Sequence, residues 1–312
     1  MAELYNKFSE YLSHKYGGKT YKLPLNIPGT CPNKDGTLGY DGCVFCGEDS
    51  AGFEALSTEI SIKDQIEWTA DLVKRKYGAK NFIAYFQNWS GTYRPLKDLE
   101  RMVREAAETG VVAVYIATRP DCVGDEPLKL LESLKKELKI DIVLEIGLQS
   151  VNEEALKILN RGHGVKEFVE AVKRVRRYGL EVCVHMILGL PFDSMDDVIE
   201  GAKLLSELKV EQVKIHSLFV LEDTRLAQLY SAGEIKMISK EEFVERVIAF
   251  LRYLDPQVTV QRLIGRAPEG KALFCNWETS WWKVRDQIEH EMRAKGQCQG
   301  DLQARVVTPP LF

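Results

Sequence analysis

The 312-residue sequence has no apolar run approaching the roughly 20 residues that a membrane-spanning helix needs. Its start, Met-Ala-Glu-Leu-Tyr-Asn-Lys-Phe, lacks the basic-then-apolar pattern of a secretion signal. There is no internal repeat and no low-complexity linker, which excludes solenoids and disordered tethers. Neither sign of charge dominates: 42 Lys and Arg stand against 46 Asp and Glu, a net charge of −4. That balance argues against wholesale non-specific nucleic-acid binding but leaves room for a local basic patch. Seven cysteines are an odd number, unsuited to a disulfide framework and in keeping with a reducing, cytoplasmic setting.

Three of those cysteines are clustered. The stretch Cys31-Pro-Asn-Lys-Asp-Gly-Thr-Leu-Gly-Tyr-Asp-Gly-Cys43-Val-Phe-Cys46 spaces them as C-x11-C-x2-C in a loop rich in Gly and Asp. Thiolate is the ligand of soft metals and of iron–sulfur clusters, and a glycine-rich backbone can wrap an inorganic core. A structural zinc site normally closes with four protein ligands. Three thiolates on a [4Fe–4S] cluster leave one iron open. A zinc site with a fourth ligand from elsewhere, in a non-catalytic scaffold, remains the alternative. Cys122, Cys183, Cys275 and Cys298 lack ligand spacing and are expected as bystanders.

The remaining pattern alternates between short apolar runs and amphipathic segments. Residues 1–20 carry Tyr5, Phe8, Tyr11, Leu12 and Tyr16 at helical spacing. Strands are expected at 21–27, 81–86, 111–117, 140–147, 180–188 and 212–219. Helices are expected at 61–76, after Pro95, and at 126–138, 153–178 (broken at Gly162 and Gly164) and 195–208; after about 222 the rhythm changes, with helical patterns at 223–233 and 240–254 leading to a strand at 258–264. Buried strands separated by helices indicate parallel βαβ units. Six units predict an α/β fold, either a partial (β/α)6 barrel of the TIM type or a doubly wound open sheet. In both, ligands sit at the carboxyl ends of the strands. The expected divisions are an N-terminal helix (1–20), the barrel (21–222), a C-terminal extension closing its mouth (223–295) and a mobile tail (296–312).

The strand ends then become candidate binding positions. The second leads into Asn88-Trp89-Ser90-Gly91, a polar turn; the fourth carries Glu145 and Gln149; the fifth holds His185 before Gly189-Leu-Pro191. Arg161, before Gly162, suits a helix C-terminus unless a carboxylate must be bound, where its planar fork is the apt donor. Between Arg262 and Arg285, cations interleave with Trp277, Trp281 and Trp282. That segment suits either contact with RNA or packing as a helical lid, by its i, i+4, i+5 spacing.

Together these features resemble the radical S-adenosylmethionine (SAM) superfamily over roughly residues 20–220. The branch they resemble lies near the catalytic subunit of Elongator and the oxygen-independent coproporphyrinogen oxidases. The superfamily's common pattern is C-x3-C-x2-C, and the longer first gap here is similar to the Elongator-like branch. Over nearly the whole chain, Tyr21-Lys-Leu-Pro-Leu-Asn, Thr30-Cys-Pro-Asn and Asn276-Trp-Glu-Thr-Ser-Trp-Trp-Lys-Val-Arg285 resemble the MnmL (YtqA-type) bacterial family linked to wobble-uridine modification of tRNA. The resemblance implies a [4Fe–4S] cluster on Cys31, Cys43 and Cys46, with SAM on its open iron cleaved to a 5′-deoxyadenosyl radical. It implies SAM contacts at Asn88, Trp89 and Ser90 for the methionine amine, Gln149 and His185 for the ribose, and Arg161 for the carboxylate. It implies a tRNA substrate with a carboxymethylaminomethyl-type side chain, and a one-electron donor of flavodoxin or ferredoxin type. A small metabolite is the alternative substrate.

Overall fold

The computed structural model describes residues 3–47, 55–266 and 270–303. The chain opens with α1 (Phe8–Tyr16) and then alternates: β1 (Thr20–Leu25), α2 (Ile62–Tyr77), β2 (Asn81–Phe86), α3 (Leu96–Ala107), β3 (Ala113–Thr118), α4 (Asp125–Leu138) and β4 (Asp141–Gln149). The expected break at the two glycines divides α5 (Glu153–Ile158) from α6 (Val165–Arg177). Next come β5 (Glu181–Ile187), α7 (Met195–Glu207), β6 (Gln212–His216), β7 (Val220–Leu221), α8 (Arg225–Ser231), α9 (Lys240–Tyr253), β8 (Thr259–Arg262), β9 (Ala272–Phe274) and α10 (Trp281–Ala294). Local chemistry sets several of the ends. The Ser61 hydroxyl accepts from Asp64 N at the start of α2, and Gly78 ends it in the left-handed region.

One sheet runs β1-β2-β3-β4-β5-β6-β8, and every pairing in it is parallel. The order never reverses, so right-handed crossovers keep the helices on one side. A doubly wound sheet would need a switch point. The sheet is a curled half-barrel. Its faces alternate residue by residue: Ala84, Phe86, Val114, Ile116, Ile142 and Leu144 join the helix-side core, while Ile83, Tyr85, Tyr115, Val143 and Cys183 form a second cluster on the concave side.

α1 fills the concave side at the amino ends of the strands. Phe8, Tyr11, Leu12 and Tyr16 pack on that second cluster. The Tyr16 hydroxyl donates to Asp141 at 2.8 Å, and Lys15 pairs with Glu181. Just before α1, Asn6 O accepts from Val260 N at 2.8 Å, so the N-terminal segment lies along β8. With that end filled, the cavity opens at the carboxyl ends.

Three features differ from the sequence expectation. The sheet has a seventh strand, β8, drawn from the segment assigned to the C-terminal extension. Before it the rhythm changes after about 222 as expected: the helices expected at 223–233 and 240–254 are α8 and α9, and α9 acts as one more crossover. Residues 296–303 are held to the body: Gln299 N donates to Leu4 O, Gly300 N to Leu251 O and Leu302 N to Arg252 O. Their partners are distant in sequence, so no local pattern announces them; 304–312 lie outside the described residues. Finally, Trp277 is not on a helix with Trp281 and Trp282. Asn276, Trp277 and Glu278 form a left-handed turn (φ 46°, 50° and 56°) before α10 begins. Trp277 packs on Phe243 and Phe274 and donates to Ile238 O at 2.7 Å. The rings of Trp281 and Trp282 are partly exposed.

Candidate active site

The cysteine loop leaves β1 and is pinned at several points. Cys31 O accepts from Lys34 N and Asp35 N, and Cys43 O from Cys46 N. Val44 N donates to Leu159 O and its own carbonyl accepts from Leu226 N, tying the loop to the end of α5 and the start of α8. Asn33 Nδ2 donates to Asn160 O at 2.6 Å. The loop thus brings Cys31, Cys43 and Cys46 to one cavity. Among the described residues, the His, Cys, Asp or Glu ligand atoms gathered within 4.8 Å of one another are those of Glu145, Cys183 and His185, not the three loop thiols.

Cations surround these sulfurs. Arg161 is 6% exposed and reaches inward. Its Nη1 donates to Cys43 Sγ at 3.2 Å, and Nη2 donates to Gly147 O at 2.9 Å and lies 3.0 Å from His163 Nε2. Its Nε is buried without a protein partner. Arg119 grips Asp121 through Nε and Nη2, both at 2.9 Å, and buries Nη1 without a partner. Burial, then the Arg161 and Arg119 charges, push His163 down to about 2, so it stays neutral. Burial raises the Cys31 thiol. Thiols beside guanidinium groups with unused donors fit a thiolate-ligated cluster carrying a carboxylate-bearing ligand.

The other candidate residues divide. Trp89, Ser90, Gln149, Arg161 and His185 line the cavity. Gln149 sits after a register shift between β4 and β5, with φ at 77°. A Cβ on Gly147 would stand 2.7 Å from Gln149 Nε2 and 3.1 Å from Arg161 Nη2, so glycine there lets both side chains meet. Asn88 is not among the lining residues. It is buried, with Oδ1 accepting from Ile27 N and Nδ2 donating to Ile27 O. Its amide braces the entry to the cysteine loop.

On the cavity floor, Glu145 and His185, both named from the strand ends, meet residues that the strand-end reading missed: Lys22, Tyr85, Lys214, His216, Gln261 and Arg262. Glu145 accepts from Lys22, from Lys214 Nζ at 3.3 Å, from Gln261 Nε2 at 3.0 Å, and pairs with His185 Nε2 at 2.8 Å. Lys214 Nζ also donates to Tyr85 Oη at 3.0 Å. Arg262 Nη2 lies 2.7 Å from His216 Nδ1. Burial opposes charge on Glu145, but Lys214, Lys22 and His185 outweigh it and hold the carboxyl well below its usual range. Burial, then Lys214, pull His185 down to about 4, so it remains neutral. A sequence signal for this floor existed: Gln212, Lys214 and His216 alternate with Val213 and Ile215, which puts three polar side chains on the concave face.

Comparison with known proteins bears on this arrangement. Residues 26–205 match the Radical SAM superfamily, and 210–294 the Radical_SAM C-terminal domain. The Bacillus subtilis (strain 168) protein YtqA is 31% identical over 303 residues, 97% of this chain and 94% of its own length. A tRNA uridine(34) acetyltransferase of Methanocaldococcus jannaschii is 30% identical over 159 residues, half of this chain and 28% of that protein. Among solved structures, Methanocaldococcus infernus Elp3 superposes with a TM-score of 0.66 at 18% identity, covering 90% of this chain and 64% of that one. No helix among the described residues is long and apolar enough to cross a membrane. The family match, spanning more than half of the sequence, makes this chain a member of the radical SAM superfamily, on its Elp3-like branch, with a [4Fe–4S] cluster and S-adenosylmethionine as its cofactors.

Proposed function

We propose that this radical SAM enzyme remodels the side chain of a modified wobble uridine in tRNA, of the carboxymethylaminomethyl type. The observation that carries this reading is the similarity, over half of the chain, to a protein named as a tRNA uridine(34) acetyltransferase. The match covers 28% of that protein, so it supports a shared substrate class rather than a shared reaction. The partly exposed Trp281 and Trp282 support it too: the Arg285 guanidinium lies 5.3 Å from the Trp281 ring, an arrangement on which unpaired bases stack.

When bound, the cluster and SAM supply a 5′-deoxyadenosyl radical, formed by one electron from a flavodoxin- or ferredoxin-type donor. This chain's residues hold and orient them. Cys31, Cys43 and Cys46 are the cluster ligands. Arg161 and Gln149, brought together over Gly147, bind the methionine carboxylate and the ribose. Trp89 and Ser90 close over the methionine end, and neutral His185 faces the ribose while anchored on Glu145. Asn88 acts through the Ile27 backbone. Seven cysteines, an odd number with three clustered in one loop, support a cytoplasmic location.

The test is 5′-deoxyadenosine release by anaerobically reconstituted, reduced protein, with and without bulk tRNA carrying precursor wobble modifications. Release stimulated at least tenfold by tRNA supports the reading. Release indifferent to tRNA moves the substrate to small molecules. An unchanged modified-nucleoside profile in tRNA from a strain lacking the protein overturns it.

A further inference from the structure

The cavity floor sets two lysines on one carboxylate, and burial lowers both of them. Lys22 and Lys214 both rest on Glu145, whose oxygens also accept from Gln261 and His185. Among the described residues, the neighbours bring no second negative charge. Burial raises the Tyr85 hydroxyl and the Cys183 thiol well above their usual values, so both keep their protons. His185 and His216 are both driven down by burial and are neutral. Arg262, on the adjacent strand β8, adds positive potential at Lys214. Two of the three ammonium hydrogens of Lys214 go to Tyr85 Oη and Glu145 Oε2, and the side chain lines the cavity. A metal cation does not suit the floor, although Glu145, Cys183 and His185 cluster closely enough to ligate one. The carboxylate is already taken up by Lys22, Lys214, Gln261 and His185, and the thiol is protonated.

We propose that Lys214 seats an anionic group of the substrate, a carboxylate or a phosphate, on the floor of the cavity. This deepens the proposed function and rests on the reading of the cavity as the substrate site. An anion there pairs with the Lys214 ammonium, and in a site removed from water that contact is far stronger than at a surface. Binding is also linked to protons. Burial, then the Lys22 and Arg262 charges, bring Lys214 down to about 7, against the attraction of Glu145. A bound anion raises it again. Above pH 7 the protein therefore takes up a proton as the anion binds, and affinity falls toward tenfold per pH unit.

The experiment is calorimetric titration of full-length, cluster-loaded protein saturated with SAM. Acetate and inorganic phosphate are the probes, from pH 6.5 to 8.5, in buffers free of both anions and differing in ionisation heat. The expected result is that at least one anion binds, with uptake approaching one proton at pH 8. Acetate alone marks a carboxylate seat, and phosphate alone a phosphate seat. Lys214→Met weakens binding at least tenfold, and Lys214→Arg binds without proton uptake. Should Lys214→Met fail to fold, the Lys214→Arg result decides. The proposal is overturned if neither anion binds below roughly 100 mM, if wild-type binding takes up no proton, or if Lys214→Met binds as well as wild type. No tRNA enters this measurement, so its failure is distinct from failure of the tRNA assay.

Discussion

Arg161 shows how one side chain changes meaning with its surroundings. By position it is an arginine at the end of a short helix, yet it turns inward to Cys43 Sγ and Gly147 O. Replacing Gly147 with alanine sets a methyl against Arg161 and Gln149, both movable side-chain ends. The expected effect is a SAM affinity about tenfold lower, near the ~1.4 kcal/mol of one or two hydrogen bonds. Equilibrium binding, with circular dichroism to confirm an unchanged fold, checks this. Among the cysteines, Cys31→Ser, Cys43→Ser or Cys46→Ser should abolish the brown absorbance and the iron content, while Cys298→Ser, at an exposed position, should keep both. Lys214 bears on stability as well. Between pH 7 and its ordinary value of 10.5 the unfolded chain holds a proton that the folded chain has released, so stability rises with pH across that window. Urea denaturation at pH 7 and 9.5 should show the rise, and Lys214→Met should flatten it.

At the scale of elements, the joints between strands and loops limit what substitution can do. Gly189, in the Gly-Leu-Pro turn after β5, would place a Cβ 2.8 Å from Leu218 N and 3.3 Å from Ser217 Cα. Those atoms are backbone and cannot step aside as a side chain can. Gly189→Ala should therefore cost about 1–3 kcal/mol in thermal or chemical unfolding. Trp277 is held by two rings and a hydrogen bond from its indole to Ile238 O. Trp277→Phe removes that bond and leaves most of the packing, for an expected loss of about 1–2 kcal/mol. The left-handed turn it occupies could not be read from the spacing of the tryptophans. Spacing reports a period, and Asn276 imposes a different backbone by bonding to Ser217 and Gly265 across the fold.

At the scale of the molecule, a curled parallel sheet filled by α1 at one end leaves one deep cavity at the other, the side to which the cysteine loop leads. Strand and helix positions were legible in the sequence because buried parallel strands are unbroken apolar runs and the helices between them carry a second period. The thiol cluster was legible because its ligands lie within one loop. β8 was not legible as part of the sheet, since β7 and α8 hide the rhythm, and the choice between barrel and open sheet rests on strand order, which no local pattern encodes. The same limit applies within the site. The sequence by itself determined the alternation of elements, the three-thiol loop and the polar residues at the strand ends. Only the tertiary structure decided that Arg161 turns toward Cys43, that Asn88 braces Ile27, and that Lys22, Tyr85, Glu145, His185 and Lys214, from five different strands, share one buried network. A side chain's neighbours along the chain set its backbone, but its charge and its partners are set by strands that meet only when the sheet curls.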